Sequence, residues 1–329
     1  MRPWYLIQGN NRVTETFRDI QREEDERIRD ATIHPETSKW KLGVSVDALN
    51  DRRNRYVNIM PYERNRVKLG LVSGNDYINA SYITINVPGQ SAVKGNYIAT
   101  QGPTRNTWPQ FWQMCFHECP EEHIVIISVT PLVENGREKC FLYWPTKDAG
   151  MSTIHVPKRQ AASNLPKDVS VFETDLDVEY ISESIGNGYV KTNLAIIPSD
   201  GTFPMKIVHH FYFDKWKDMS KPDEIEPILE LSRHSHRVSS PGNPIIVHCS
   251  AGVGRSGTFI TLDHLIHDTL DFTRDEPVQG YPNDLIEEIV RQLRRQRQKM
   301  VQLVDQFTFI YQFANAVYDQ KQRAIRDRY

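Results

Sequence analysis

One stretch constrains this chain more than any other: NPIIVHCSAGVGRSGTFI, residues 243–260. The β-branched run ending at His248 reads as a strand, and SGTFITLDHLIHDTLDF, beginning at Ser256, reads as a helix. Between them stand Cys249, five small residues and Arg255. A chain that passes from an apolar strand through a glycine-rich turn into a helix is bound to an α/β architecture, with the turn at the carboxyl end of the strand.

The turn also carries chemistry. A thiol does little until it is a thiolate, and its ordinary pKa of ~8.5 can fall to ~3.5–7.5 beside a cation or a helix N-terminus. Cys249 has both within a few residues, since the unpaired amides and dipole of the following helix point back at the sulfur. Residues 250–254, Ser-Ala-Gly-Val-Gly, can curl so that several N–H groups face one centre. Arg255 adds a planar fork of donors suited to two phosphate oxygens. A nucleophile beneath a phosphate-sized nest is a phosphoryl-transfer site, with the phosphate passing to sulfur. The glycines at 252, 254 and 257 do not form a dinucleotide loop, because a Cys–Arg pair frames them and no βαβ unit follows. No Gly-Lys-Ser/Thr is present for a nucleotide P-loop.

The remaining elements follow from periodicity. Residues 12–37 read as charged helix with a solvated polar face. YVNIM (56–60), DYINASYITINV, SAVKGNYIATQGP, KCFLYWP (139–145), 168–182 and TFPMKIVHHFYF read as strands. IVIISV, apolar throughout, reads as a central strand. TWPQFWQMCFHE is a helix with Thr107 as N-cap and Pro109 at its second position. DEIEPILELSRHSHRV, PNDLIEEIVRQLRRQR and the C-terminal DQFTFIYQFANAVYDQKQRAIRDRY also carry helical spacing. Segments 84–94 and 149–167 read as surface insertions. No repeat or long low-complexity linker interrupts the chain, so one α/β unit around a mixed sheet is expected, with residues 1–40 a helical extension and 41–329 the catalytic domain.

Bulk properties narrow the classes. Formal net charge is −2, no overall signal for nucleic acid or an anionic membrane. Four cysteines in 329 residues, without a Cys-x-x-Cys, read as free thiols in a reducing compartment. The N-terminal apolar run is too short for a signal peptide and no run of ~18 apolar residues spans a membrane, so a cytoplasmic protein, with access to the nucleus, is expected.

His248-Cys249-Ser250-Ala251-Gly252-Val253-Gly254-Arg255-Ser256-Gly257 resembles the signature of the protein tyrosine phosphatases, matching the tyrosine-specific branch without a gap. NRYVNIMPYERNRVKL resembles that family's phosphotyrosine-recognition loop, and DYINASYI, NYIATQGP, TWPQFWQM, IVIISVT, ENGREKCFLYWP and QKMVQLVDQF resemble further family segments in order. The likeness covers roughly residues 50–318 and is nearest to the soluble, non-receptor fungal members. It implies a single domain built on a highly twisted mixed sheet flanked by helices.

The resemblance also implies roles. Cys249 is the nucleophile. The amides of Ser250, Ala251, Gly252, Val253, Gly254 and Arg255, with the Arg255 fork, bind phosphate. Ser256 would donate to the sulfur, and His248 would steady the loop and favour the thiolate. Asp218 is the general acid and base on the loop that Trp216 begins. That loop departs from the family's Trp-Pro-Asp, since Lys217 stands in place of proline and frees both φ and an N–H. Gln302 and Gln306 place the hydrolytic water. Tyr56 walls the substrate ring, and Asn58 contacts the substrate backbone as a neutral clamp. Glu134 would orient Arg255, with Lys139 beside it. The neutral cradle lacks the basic residues that phosphoinositide phosphatases carry. No cofactor or metal is implied, and the partners are tyrosine-phosphorylated proteins without an obligate subunit. A phosphotyrosine-binding module and a lipid or dual-specificity phosphatase are the rival readings.

Other features read as structural. Cys115 and Cys119 are core thiols. His264 and His267, with Asp263 and Asp268, form a polar outer face; His234 and His236 are solvated; RQLRRQRQK (291–299) is a solvated basic helix face. Lys299 stands where open second phosphotyrosine pockets carry glycine, which narrows that pocket.

Overall fold

The computed structural model describes residues 2–217 and 223–328, and its apolar runs meet in a nine-stranded mixed sheet. Ile245–His248 lies fourth in that sheet, between Gly95–Thr100 and His123–Ser128 and parallel to both. Lys206–Tyr212 extends the parallel block beyond His123–Ser128. Tyr77–Ile85 and Arg66–Lys68 add on antiparallel at one flank; Val190–Pro198, Leu176–Ile185 and Thr153–Val156 do so at the other.

Period-two alternation divides the core into two layers. Ile246, Ile124 and Ile126 face a cluster built on Phe111 and Trp112 of the helix Trp108–Glu118. Val247, Val125 and Ile127 face a cluster built on the helices Gly254–Asp268, Leu285–Arg294 and Val304–Arg326. A strand covered on both faces has no polar positions, which is why NPIIVH and IVIISV are apolar runs rather than alternating ones. The parallel block ends where Cys249 begins, at the carboxyl edge where open α/β sheets bind ligands.

Several expectations are corrected. Residues 56–60 form a turn rather than a strand: the Arg55 amide bonds to the Gln101 side chain (2.8 Å), whose amide donates to the Arg53 carbonyl (2.9 Å), so local backbone groups go to a side chain and not to a ladder. KCFLYWP is a loop beyond the two-residue strand Arg137–Glu138. It is apolar because Cys140, Tyr143 and Trp144 are buried, not because it pairs. The 149–167 segment is built in, supplying an edge strand of the main sheet and part of a three-stranded sheet. Within 84–94, Val87 and Gln90 are fully buried. Thr107 does occupy the N-cap of Trp108–Glu118, but its hydroxyl accepts from the Thr104 amide (2.9 Å) instead of capping.

The N-terminal helix Asn10–Ile33 packs on Leu285–Arg294 and Val304–Arg326. Its polar face is not simply solvated. Glu24 is buried, pairs with Arg294 (3.2 Å) and accepts from the Lys299 amide. The 291–299 stretch is likewise no solvated face, since Arg294 and Arg297 are fully buried. His234 bonds to the Tyr189 hydroxyl (2.8 Å), and His236 lies 2.7 Å from Asp263. Asp263 and His264 are themselves buried. Cys115 and Cys119 lie in the core with burial holding both thiols well up, Cys119 at about 12.

Candidate active site

The loop after Ile245–His248 is held by contacts that only its residue types allow. Gly252 takes φ +74°, and a Cβ there would stand 2.1 Å from the Thr100 carbonyl oxygen. Glycine is required twice over, for the left-handed backbone and for the close approach. Gly257 is required for approach alone: a Cβ would meet the Val301 amide nitrogen at 2.5 Å. That approach seats residues 300–302 against the helix Gly254–Asp268, with the Val301 amide donating to the Val253 carbonyl (3.2 Å). Lys299 and Val301 pay for it with left-handed φ of 58° and 59°. Arg294 holds them there, donating to the carbonyls of Met300 (2.6 Å) and Val301 (2.9 Å).

A cavity of about 220 Å³ opens over this loop. Cys249, Ser250, Ala251, Gly254 and Arg255 line it together with Tyr56, Asn58, Ile59, Lys139, Gln302 and Gln306. Residues scattered from 56 to 306 therefore converge on one pocket. The Tyr56 hydroxyl bonds to Ser250 Oγ (2.7 Å), and Ser250 donates to the Lys139 carbonyl (2.9 Å), which ties the ring wall to the cradle. Gln306 Oε1 accepts from the amides of Gln302 (3.0 Å) and Leu303 (3.2 Å). It thus caps the helix Val304–Arg326 and fixes the loop bearing Gln302.

Burial pushes the Cys249 thiol up, but the Arg255 charge, the Ser256 hydroxyl and the amides of Ser256 and Val253 override it, so its pKa lies below the ordinary thiol value. The Gly252 amide also donates to Sγ (3.2 Å). Ser256 Oγ is buried with no full hydrogen bond of its own, leaving that hydroxyl available to the sulfur. Arg255 is buried too, and its Nη1 donates to the Trp216 carbonyl (3.0 Å), which ties residue 216 to the cradle. Trp216 is buried in the adjoining core. Asp218, the expected acid, lies outside the described residues. Glu134 sits on the two-residue strand Val133–Glu134, paired with Arg137.

His248 works differently from a cation behind the thiolate. Burial, with Arg55 and Arg255 nearby, depresses its pKa to about 4, so it is neutral at pH 7. Its Nδ1 lies 3.0 Å from the Cys249 carbonyl, which can only accept, so Nδ1 carries the proton. Nε2 then accepts from the Tyr143 hydroxyl at 2.7 Å. Tyr143 oxygen in turn accepts from Nε2 of His210 (2.8 Å), a ring that burial also keeps neutral. His210–Tyr143–His248 is one oriented chain of donors ending on the Cys249 carbonyl.

Two further braces escaped the sequence reading. Arg297 donates to the carbonyls of Gly252 (2.9 Å) and Ala251 (3.1 Å), to Asn79 (2.8 Å) and to Ser81 (3.1 Å). Arg55 donates to the carbonyls of Gly102, Pro103 and Glu138 beside the Tyr56 loop. The signal for Arg297 was present: Val290, Leu293, Arg294 and Arg297 repeat at helical spacing on the buried face.

A second polar cluster lies apart from the pocket. Donor atoms of His236, Asp263 and His267 fall within 4.8 Å of one another. The two rings stack at 3.7 Å with planes 19° apart, so their lone pairs run nearly parallel and do not converge on one ion. Asp263 already accepts from Ser232 (2.6 Å), Tyr97 (2.7 Å) and His236 (2.7 Å). The cluster is a hydrogen-bonded histidine–carboxylate network around the buried Asp263.

Comparison with known proteins agrees with this geometry. Residues 50–316 match the family described as protein-tyrosine phosphatase. The chain is 55% identical to Tyrosine-protein phosphatase 1 of Saccharomyces cerevisiae, covering 95% of this chain and 96% of that one. It is 34% identical to Tyrosine-protein phosphatase 2 of Schizosaccharomyces pombe, over 94% of this chain and 40% of the relative. A solved structure titled "Structural basis of PTPN18 fingerprint on distinct HER2 tyrosine phosphorylation sites" shares the fold, with a TM-score of 0.70 at 24% identity over 94% of each chain. A nucleophilic cysteine in an arginine-capped amide nest, set in this sheet and matched along four-fifths of the sequence, places the chain in the protein-tyrosine phosphatase family.

Proposed function

We propose that the chain hydrolyses phosphotyrosine in proteins through a phosphocysteine on Cys249. In the first step the Cys249 thiolate attacks phosphorus. The S–P bond forms as the P–O bond to tyrosine breaks, and Asp218 gives its proton to the departing phenolate oxygen. The phosphoryl oxygens rest on the amides of residues 250–255 and on the Arg255 fork, whose charge is already in place before attack. In the second step water, placed by Gln302, attacks phosphorus. Its proton passes to Asp218, the P–S bond breaks, inorganic phosphate leaves and the thiolate returns. Ser256 donates to the sulfur as it departs.

The carrying observation is the convergence of Cys249, Arg255, Tyr56 and Gln302 on one pocket, with the Cys249 pKa held below the ordinary thiol value; an aromatic wall suits the phosphotyrosine ring better than phosphoserine. Asn58 holds the substrate backbone, Glu134 and Lys139 support Arg255 from the neighbouring hairpin, and Trp216 anchors the acid loop. Residues 1–40 form part of the working unit, with the catalytic domain beginning near 41. The protein acts in signalling in the cytoplasm. Four free thiols suit that compartment, and among the described residues no helix is long and apolar enough to cross a membrane.

The test is turnover of p-nitrophenyl phosphate without metal. Cys249→Ser should abolish it, and Asp218→Ala should lower kcat by ~10²–10⁴ while keeping a tight phosphotyrosine complex. Unchanged kcat in Asp218→Ala would move the acid role to another residue. Preference for a phosphothreonine peptide or a phosphoinositide over a phosphotyrosine peptide would overturn the substrate class.

A further inference from the structure

The N-terminal helix, the loop after it and the end of the helix Leu285–Arg294 meet in a cationic surface that the catalytic chemistry does not use. Trp40, almost wholly buried, lies under three cations: Arg64 at 4.6 Å from the ring centroid, Lys39 at 4.9 Å and Arg27 at 5.4 Å. Arg64 and Arg295 also line a shallow cavity of about 460 Å³ with Asn65, Gln292 and Gln296. The amide side chains there are consumed internally. Asn65 donates to the carbonyls of Tyr82 and Gln296, Gln296 bonds to both backbone groups of Thr84, and Gln292 does the same at Asn86.

Arg27 reaches Glu23 (3.9 Å) and Arg64 Nη2 donates to the Arg295 carbonyl (3.0 Å), but the charges of Arg64, Lys39 and Arg295 meet no carboxylate among the described residues. Nearby carboxylates are committed elsewhere: Glu23 to Arg291 and Arg27, Glu63 to Lys41, Glu24 to Arg294. Partial desolvation and the like charges of Arg27 and Arg295 lower the Arg64 pKa. Holding like charges together without a counter-charge is unfavourable until an anion joins them.

We propose that this surface, built by Arg64, Lys39 and Arg295 around Trp40, docks an acidic segment of the phosphotyrosine substrate outside the catalytic pocket. The proposal rests on the phosphotyrosine-hydrolase reading above and extends it to the substrate class. The geometry allows one extended peptide to reach both sites. Arg295 stands seven residues before Gln302 of the pocket, so their Cα atoms lie no more than about 25 Å apart. The N-terminal region thereby contributes to recognition and not only to packing.

The test compares p-nitrophenyl phosphate with phosphotyrosine peptides that share one core. Glutamate runs are placed about seven residues before or after the phosphotyrosine, and a neutral peptide is the control. In the wild type one acidic placement should raise kcat/KM about three- to tenfold through KM, the sum of a few exposed ion pairs. The advantage should fade as salt rises, because the Debye length shrinks. R64E/R295E should lose it while keeping wild-type turnover of p-nitrophenyl phosphate. K39E should also reduce it, and a melting curve separates loss of the Lys39–Trp40 contact from loss of docking. Equal kcat/KM for acidic and neutral peptides in the wild type would overturn the proposal, as would an advantage that survives R64E/R295E. Patch-dependent binding to phosphatidylserine vesicles without any peptide preference would overturn it in favour of a membrane surface. Loss of p-nitrophenyl phosphate turnover in the wild type would instead strike the catalytic reading.

Discussion

Arg297 and Tyr143 show how a single side chain can shape the site without lining it. Arg297 is fully buried and its fork holds two cradle carbonyls and two side chains. Arg297→Ala should lower kcat/KM for p-nitrophenyl phosphate by about 10- to 100-fold, because small displacements of a preorganised anion site are costly. Arg297→Lys should recover little, since one ammonium cannot replace a planar fork. Steady-state kinetics with a melting curve separates lost positioning from lost folding. Tyr143→Phe removes the hydroxyl that links His210 to His248. His248 Nε2 then loses its donor and the Cys249 carbonyl its fixed partner. The midpoint of iodoacetate alkylation against pH, expected well below ~8.5 in the wild type, should move upward in this variant. An unmoved midpoint would assign the chain a purely structural part. These residues were poorly legible in the sequence because Arg, Tyr and His are as much at home on a surface as in a core. Cys249 and Arg255 were legible because their neighbours are glycines and a strand, an arrangement with few other uses.

Among the elements, the strand–loop–helix unit behaves as expected from its composition, and the supporting loops do not. Gly252→Ala should destabilise by more than ~2 kcal/mol in urea unfolding, as it combines a left-handed φ with a collision against the Thr100 carbonyl. Gly136, equally left-handed but with open space around it, should cost less when replaced by alanine. A substitution that costs the same at both sites would show that φ alone decides. The turn at 56–60 and the loop at 139–145 were misread as strands for one reason. Ile59 in the first and Cys140, Tyr143 and Trp144 in the second are buried by packing beneath neighbours, while Val57 and Leu142 are exposed, and periodicity cannot distinguish burial by packing from burial by pairing. The same ambiguity hid Arg294 and Glu24, whose mutual neutralisation makes a buried position tolerable for each.

Across the whole molecule, several histidines are kept neutral by burial. His248 and His209 have pKa values lowered to about 4, and His210 lies well below its ordinary value. Since the unfolded chain binds protons near ~6.5 and the folded one does not, stability should be intact above that pH and fall as pH drops from ~6.5 toward 4. His236 opposes this: Asp263 outweighs its burial and raises its pKa, so its contribution is present at low pH and fades as pH rises. His117, His234 and His267 are lowered as well, so six rings stand against one, the melting temperature should decline between pH 6.5 and 4.5, and His210→Asn should flatten that decline. A flat profile in the wild type would mean that these rings open to water before the fold does. The sequence alone determined the α/β class, the central strand, the cysteine nest and the phosphate chemistry, because each is written in contiguous residues with local physical consequences. Tertiary structure decided what contiguity cannot express: which arginines are braces, which histidines are neutral, and how residues from 56 to 306 close on one sulfur. It also decided where uncompensated charge gathers around Trp40. Those outcomes depend on burial and on partners dozens to hundreds of residues away, and burial is a property of the folded chain rather than of any segment in it.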